Sequence, residues 1–239
     1  MSLATLCRSH ARRDFPYVAG QPVGFRAGQW AWLMASVIAG FLLLVLVPAT
    51  SFQAQLFTRL LFVAIPLGTL LWLAGRHASA LFGRMSAGDA GVTALAAVLS
   101  ILSALLAALV VQRFAPVAPN PLAVDAARMS APDLVLNLLS TAPQLLGEEL
   151  LTILPFLALL RWTSVKFGLA RRYAIALALL GSTIIFCAAH LPTYHWNWAQ
   201  CFGVIGASRV VLTSAYIVTR KLWVPAGAHI LTDWTEFST

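Results

Sequence analysis

The chain has 239 residues, of which 60% are hydrophobic and only 10% are charged. Soluble domains average about half apolar and a quarter charged residues, so this composition excludes an ordinary soluble protein. The net charge of +8 could indicate nucleic-acid binding, but the positive residues are spread between apolar segments. Because that distribution is typical of the cytoplasmic loops of membrane proteins, we expect no nucleic-acid partner.

Apolar segments long enough to cross a bilayer recur along the whole chain. Seven are predicted, at residues 30–47, 56–74, 91–112, 133–160, 173–191, 199–219 and 222–237. The predicted fold is therefore all-α, a polytopic bundle of transmembrane helices. Pro143, Gly147 and Pro155 predict a bend or an interruption in the fourth segment. An interruption there would add an eighth crossing.

The segments divide the chain into three parts. Residues 1–29 form a basic arm with Arg8, Arg12, Arg13 and Arg26, which we expect on the cytoplasmic membrane surface. Residues 30–132 contain the first three helices and a proline-rich connection. Residues 133–239 contain the last four helices, where the polar residues of the membrane segments are concentrated.

Loops rich in lysine and arginine alternate along the chain with loops that have few, as expected for seven membrane crossings. The loops expected on the cytoplasmic side carry Arg76, Arg84, Arg161, Lys166, Arg171, Arg172, Arg220 and Lys221. Positive residues favour the cytoplasmic side. We therefore predict a multi-pass protein of the cell (inner) membrane, with a cytoplasmic N-terminus.

Six ionisable residues stand out within the predicted membrane segments: Glu148, Glu149, His190, Arg209, His229 and Asp233. Taken singly, each has a structural explanation, such as a histidine near a helix end or an arginine in an ion pair. A charged side chain near the bilayer centre nevertheless costs at least a few kcal/mol. Six such residues in a chain so poor in charge predict a functional site.

The spacing of these residues indicates how they are oriented. His229 and Asp233 are four residues apart and share one helix face, so Asp233 could accept a hydrogen bond from His229 and fix its tautomer. Phe186 and His190 have the same spacing. Successive helical residues point about 100° apart, so Glu148 and Glu149 cannot both face one central site.

Three short motifs in this order resemble the CPBP intramembrane proteases: Glu148-Glu149, Phe186-x-x-x-His190 and His229-x-x-x-Asp233. That family includes the type II CAAX prenyl endopeptidases and the bacteriocin-processing or self-immunity proteins of the Abi group. The resemblance covers about residues 133–237. It departs from the family at one position, because the first motif is Glu-Glu-x-x-x-Arg and Ile153 occupies the arginine position. We hypothesise that Arg209 supplies the missing cation to Glu149.

The resemblance implies roles for the site residues. Glu148 would activate a water molecule with help from His190, and His229 with Asp233 would hold the scissile carbonyl and its oxyanion. Glu149 would support the site. A divalent metal is an open alternative, because Glu148, His190 and His229 could together ligate zinc with Glu149 as the base. A metal-free glutamate mechanism is equally compatible with the sequence.

The predicted function is therefore an intramembrane endopeptidase acting on a small peptide, a lipidated protein or a membrane segment. Its partners would be that peptide or membrane-protein substrate and the lipid bilayer; the sequence leaves the oligomeric state open. Two alternatives remain: a catalytically silent immunity or scaffold protein of the same family, and a proton-coupled carrier. Against the carrier, the two halves of the chain show no internal repeat.

Overall fold

The computed structural model describes residues 14–238, and this part of the chain contains helices and turns but no strand. The α-helices are α1 (Ala27–Leu46), α2 (Phe52–Ala74), α3 (Ala87–Val111), α4 (Pro121–Ala126), α5 (Ala131–Arg161), α6 (Arg171–Ala189), α7 (Gly206–Thr219) and α8 (Trp223–Phe237). A 3-10 helix spans Gly75–Leu81, and π-helical turns span Trp162–Lys166 and Gln200–Ile205. The predicted all-α class is confirmed.

All seven predicted segments are helical, and their ends fall within four residues of the prediction. In the described part of the chain, 6 helical stretches are long and apolar enough to cross a membrane. These are α1, α2, α3, α5, α6 and the stretch Gln200–Thr219, which contains α7. Helix α8 has 15 residues, fewer than the roughly 20 that a full crossing requires.

Helix α5 lies at the centre of the bundle. It begins after Ser130, whose hydroxyl accepts a hydrogen bond from the backbone N–H of Asp133. It then continues for 31 residues, a length of about 46 Å at 1.5 Å per residue. Pro143 and Pro155 both lie inside this single helix. The predicted interruption and the eighth crossing are therefore wrong.

Gly147 of α5 permits close packing against α2. A Cβ atom added at Gly147 would lie 2.5 Å from Cδ1 of Phe62, which is fully buried. On the other side of Phe62, a Cβ added at Gly40 of α1 would lie 3.0 Å from the Phe62 carbonyl oxygen. Small residues on both sides thus let α1, α2 and α5 approach one another closely, as is common for helices in lipid.

Helix α3 packs with the C-terminal helices rather than with its neighbours in sequence. It contacts α7 and α8 extensively, whereas between the described residues it makes no substantial contact with α1 or α2. Lys221, just before α8, donates to Asp89 at 2.6 Å from Nζ to Oδ2. Asp89 also forms a capping box with Ser86 at the start of α3. The space left between α2 and α3 becomes part of the central cavity.

Residues 14–25 close one end of the bundle. The Phe15 ring packs on Phe156, with 5.5 Å between ring centroids, and on Tyr216 at 6.2 Å. The Tyr17 hydroxyl is shared between the carbonyl oxygens of His77 and Ala78, at 2.9 and 3.1 Å.

The predicted basic arm of residues 1–29 thus includes a buried anchor. Its residues 1–13, with Arg8, Arg12 and Arg13, lie outside the described residues. Arg171 pairs with Asp14 and Arg161 donates to the carbonyl oxygen of Val18, so this anchor is held by the positively charged connection between α5 and α6. Its position on the cytoplasmic membrane surface stays a prediction.

Candidate active site

A cavity of about 1000 Å³ lies between helices α1, α2 and α3 on one side and the C-terminal helices on the other. Its wall includes the side chains of Glu148, His190, Arg209, His229 and Asp233. Its lining extends to the loops between α1 and α2, α3 and α4, and α6 and α7, and includes no residue of 14–26. The cavity therefore reaches the end of the bundle opposite the one closed by residues 14–25.

The structure brings Glu148, His190 and His229 together from three elements. The Nε2 atoms of His190 and His229 each lie 3.8 Å from Oε2 of Glu148. These separations are too long for direct hydrogen bonds. Polar groups at such separations can be bridged by a water molecule.

The orientation of Glu148 is fixed by a residue that sequence analysis did not identify. Gln144, one helical turn earlier, donates from Nε2 to Oε1 of Glu148 at 3.0 Å. The other carboxylate oxygen, Oε2, is thereby left facing the two histidines. The four-residue spacing of Gln144 and Glu148 is the sequence signal that could have indicated this contact.

His190 directly follows α6, and its tautomer follows from its hydrogen bond. Its Nδ1 lies 2.9 Å from the carbonyl oxygen of Phe186. A carbonyl oxygen only accepts, so we assign the proton to Nδ1. In the neutral ring, Nε2 is then an acceptor directed toward Glu148. The Phe186 ring packs against the imidazole with 4.3 Å between ring centroids.

His229 is oriented by Glu149 rather than by Asp233. Nδ1 of His229 lies 2.9 Å from Oε1 of Glu149, whereas its Nε2 is 3.6 Å from Oδ1 of Asp233. The second distance is beyond an ordinary hydrogen bond. The expectation that Asp233 fixes the tautomer is therefore wrong, because a carboxylate from another helix reaches the ring more closely. Asp233 lies beside Nε2 on the cavity wall.

The hypothesised pair between Glu149 and Arg209 is present. Nη1 of Arg209 donates to Oε1 of Glu149 at 2.5 Å, and their side chains are 2% and 0% exposed. The guanidinium carbon lies 3.8 Å from the centroid of the Phe186 ring, a cation–π contact. Ile153, at the family's arginine position, is fully buried in the apolar core. The cation comes instead from α7.

The arrangement does not fit a zinc ion. Two ligands of a tetrahedral zinc ion, each about 2.0–2.1 Å from the metal, are about 3.4 Å apart. The 3.8 Å separations around Glu148 are wider. Among residues 14–238, no group of three or more His, Cys, Asp or Glu side chains is arranged to hold a metal ion. The mechanism below therefore uses only groups of the chain.

Fold and site together define the class as a polytopic helical membrane protein with a buried glutamate–histidine centre at a cavity. Residues 130–235 match the family model described as type II CAAX prenyl endopeptidase Rce1-like. This region is therefore similar to the type II CAAX prenyl endopeptidases, the group whose motifs the sequence resembles. The match contains all the site residues discussed above and covers just under half of the chain. No curated protein and no solved structure matches the chain.

Proposed function

We propose that the chain is an intramembrane endopeptidase that hydrolyses a peptide bond of a small peptide, a lipidated protein or a membrane segment entering the cavity. The observation that carries the proposal is the convergence of two histidine Nε2 atoms, each at 3.8 Å, on one oxygen of Glu148. The match of residues 130–235 to the model of a protease family supports it.

In the first step, Glu148 removes a proton from a water molecule held between the two histidines. Nε2 of His190, the unprotonated ring nitrogen, accepts a hydrogen bond from the second hydrogen of that water. This hydrogen bond orients the water oxygen toward the substrate. The oxygen attacks the scissile carbonyl, a C–O bond forms, and the carbonyl oxygen becomes an oxyanion. General-base catalysis of this kind contributes typically 10²–10⁴-fold in rate.

In the second step, His229 stabilises the oxyanion. Glu149 accepts a hydrogen bond from Nδ1 of His229 at 2.9 Å, and Asp233 lies near Nε2. These two carboxylates favour the doubly protonated ring. The Nε2–H of that ring then donates a hydrogen bond to the oxyanion. Glu148 passes its proton to the leaving nitrogen as the C–N bond breaks. The remaining water hydrogen stays with the new carboxyl group, so atoms and charges balance.

We also propose an orientation in the cell membrane with the N-terminus in the cytoplasm. The end of the bundle closed by residues 14–25 carries Arg161, Lys166, Arg171 and Arg172, the pattern of a cytoplasmic face. The cavity would then be reached from the opposite side of the membrane. Single cysteines placed at Ala49 and Thr193 should react with a membrane-impermeant thiol reagent added outside intact cells.

Two other functions stay in competition. A silent immunity or scaffold protein would bind a membrane partner without needing Glu148 as a base. A proton-coupled carrier would use the same carboxylate as a relay group. Neither explains why two histidine nitrogens lie 3.8 Å from the same carboxylate oxygen.

The test is proteolysis by the protein reconstituted in lipid nanodiscs, with a peptide library and mass spectrometry as the readout. Glu148→Gln should lower turnover at least 100-fold and leave thermal stability nearly unchanged. Glu236→Gln is a matched control, because Glu236 is another carboxylate that lines the cavity. Undiminished cleavage by Glu148→Gln, or no cleavage of any peptide by the wild type, would contradict the proposal.

A further inference from the structure

A second pocket lies at the end of the bundle that residues 14–25 close. It has a volume of about 540 Å³. Its wall is formed by part of the anchor, by Arg26 just before α1, and by Arg161 and Val165 at the end of α5 and in the turn that follows. None of these residues lines the central cavity. The pocket is therefore separate from the candidate active site.

This pocket has two positive charges in its wall and no negative one. Arg26 and Arg161 line it, and no aspartate or glutamate does. Within residues 14–238, no carboxylate lies at ion-pair distance from either arginine. Arg161 donates from Nη1 to the carbonyl oxygen of Val18 at 2.7 Å. A guanidinium has five N–H donors, so donors of both arginines are left for a ligand. Two cations at one pocket repel each other, and an anion bound between them would remove that repulsion.

The position of the pocket along the helices indicates where that anion comes from. Arg26 directly precedes α1 and Arg161 ends α5, and both helices are long and apolar enough to cross a membrane. The ends of such helices lie at the level of the lipid headgroups. Trp162 is exposed beside Arg161, and Nζ of Lys166 lies 5.3 Å from the centroid of its ring. Exposed tryptophan is typical of the membrane interface, so the pocket lies at the depth of the lipid phosphates.

We propose that this pocket binds the phosphate group of an anionic phospholipid, with Arg26 and Arg161 as its two cations. A guanidinium can bind a phosphate with two parallel hydrogen bonds. A headgroup with a net negative charge suits a wall that has two cations and no carboxylate, and Phe25 and Val165 add apolar surface for the rest of the lipid. The bound lipid would join α1 to α5 and hold the anchor of residues 14–25 between them. This inference does not depend on the proposed peptidase function.

The test compares the full chain in nanodiscs of phosphatidylcholine alone and in nanodiscs that also contain phosphatidylglycerol. Native mass spectrometry counts the lipids that the protein retains, and thermal unfolding measures its stability. The wild type should retain phosphatidylglycerol in preference to phosphatidylcholine. Phosphatidylglycerol should also raise the thermal midpoint by about 3–6 °C, the shift expected in a chain of this size for a ligand at roughly ten times its Kd.

Three variants separate a built site from general attraction to a charged surface. Arg26→Gln should weaken phosphatidylglycerol binding about 10- to 100-fold, since hydrogen bonds to charged groups have that effect. Ala19→Trp fills the pocket without changing its charge and should weaken binding as well. The matched control is Arg76→Gln, because Arg76 is exposed, lies at the same end of the bundle and does not line the pocket. Its loss should weaken binding by less than about fivefold, the effect of one charge near an anionic surface.

Several outcomes would overturn the inference. Equal losses in Arg26→Gln and Arg76→Gln would mean diffuse attraction, and equal retention of the two lipids by the wild type would mean that the pocket selects neither. Inorganic phosphate added to phosphatidylcholine nanodiscs should not stabilise the wild type; an equal stabilisation that depends on Arg26 would assign the pocket to free phosphate. If Arg26→Gln does not fold, Ala19→Trp supplies the comparison with Arg76→Gln. A protein that cleaves no peptide but keeps this lipid preference would contradict the proposed function and leave the lipid site standing.

Discussion

Arg209 of α7 donates to Glu149 of α5 across 2.5 Å between Nη1 and Oε1, with both side chains almost completely buried. In the family's first motif, the cation follows the second glutamate by four residues on the same helix. Here Ile153 fills that position, and the ion pair joins two helices. The geometry of the site therefore depends on how α5 and α7 pack, and not on one helical turn alone.

Removing the Arg209 cation should destabilise the fold. Arg209→Leu leaves Glu149 buried without its cation, and breaking a buried pair in this way costs about 3–5 kcal/mol. We expect a large fall in the thermal midpoint in nanodiscs. Adding Ile153→Arg should restore part of the stability by returning the cation to α5. Arg209→Lys keeps the positive charge and is the control. If Arg209→Leu lowered the thermal midpoint no more than Arg209→Lys does, the role of the charge would be contradicted.

Gly147→Ala should disturb the site through Phe62. The new methyl group would lie 2.5 Å from Cδ1 of the Phe62 ring, and overpacking of this kind costs about 1–3 kcal/mol. Because Gly147 directly precedes Glu148, peptide turnover should fall as well. The matched control is Gly68→Ala, since nothing lies within 4 Å of a Cβ at Gly68. That variant should be as stable as the wild type or slightly more so, and Phe62→Leu should partly rescue Gly147→Ala.

Lys221→Met should loosen α3 from α8. Asp89 is 0% and Lys221 12% exposed in their side chains, and they approach to 2.6 Å. Losing the lysine charge leaves the buried carboxylate of Asp89 without this partner, and we expect a loss of a few kcal/mol. Arg84→Met removes an exposed charge of the same region and should change stability little. Limited proteolysis of the α2–α3 connection would report the loosening, and equal digestion of the two variants would speak against it.

Tyr17→Phe should alter the dependence of stability on pH. Burial raises the pKa of the Tyr17 hydroxyl above its usual value of 10.0. The unfolded chain therefore loses this proton at lower pH than the folded chain does, so the stabilisation is complete below pH 10 and is lost as pH rises above it. We expect the wild type to lose more stability than Tyr17→Phe between pH 9 and pH 11. Parallel unfolding curves for the two proteins over that range would contradict this expectation.

The helices could be predicted because long apolar segments and their terminal residues are local properties of the chain. The ion pair of Glu149 with Arg209 could be predicted because two unexplained charges in lipid needed partners. The expected hydrogen bond from His229 to Asp233 was wrong because a four-residue spacing reveals a neighbour on the same helix, whereas Glu149 reaches His229 from another helix. The orientation of two helices around each other depends on packing that no local pattern records.

Other residues escaped prediction for related reasons. Arg59 and Asp89 lie near the starts of the predicted apolar segments, where charged residues are usual, and only the packed bundle shows that they are buried. Gly147 predicted a bend in α5, but its lack of a side chain instead leaves room for the Phe62 ring of α2.

The anchor formed by residues 14–25 has a consequence for biosynthesis. Phe15 leaves the ribosome before any membrane helix, but its aromatic partners are Phe156 and Tyr216. Chains are synthesised from the N-terminus, so Phe15 cannot find both partners until about nine-tenths of the protein has been made. Residues 14–25 are thus among the last to reach their final contacts, although they are made early. A truncated chain that ends before α7 lacks Tyr216, one of the two aromatic partners of Phe15.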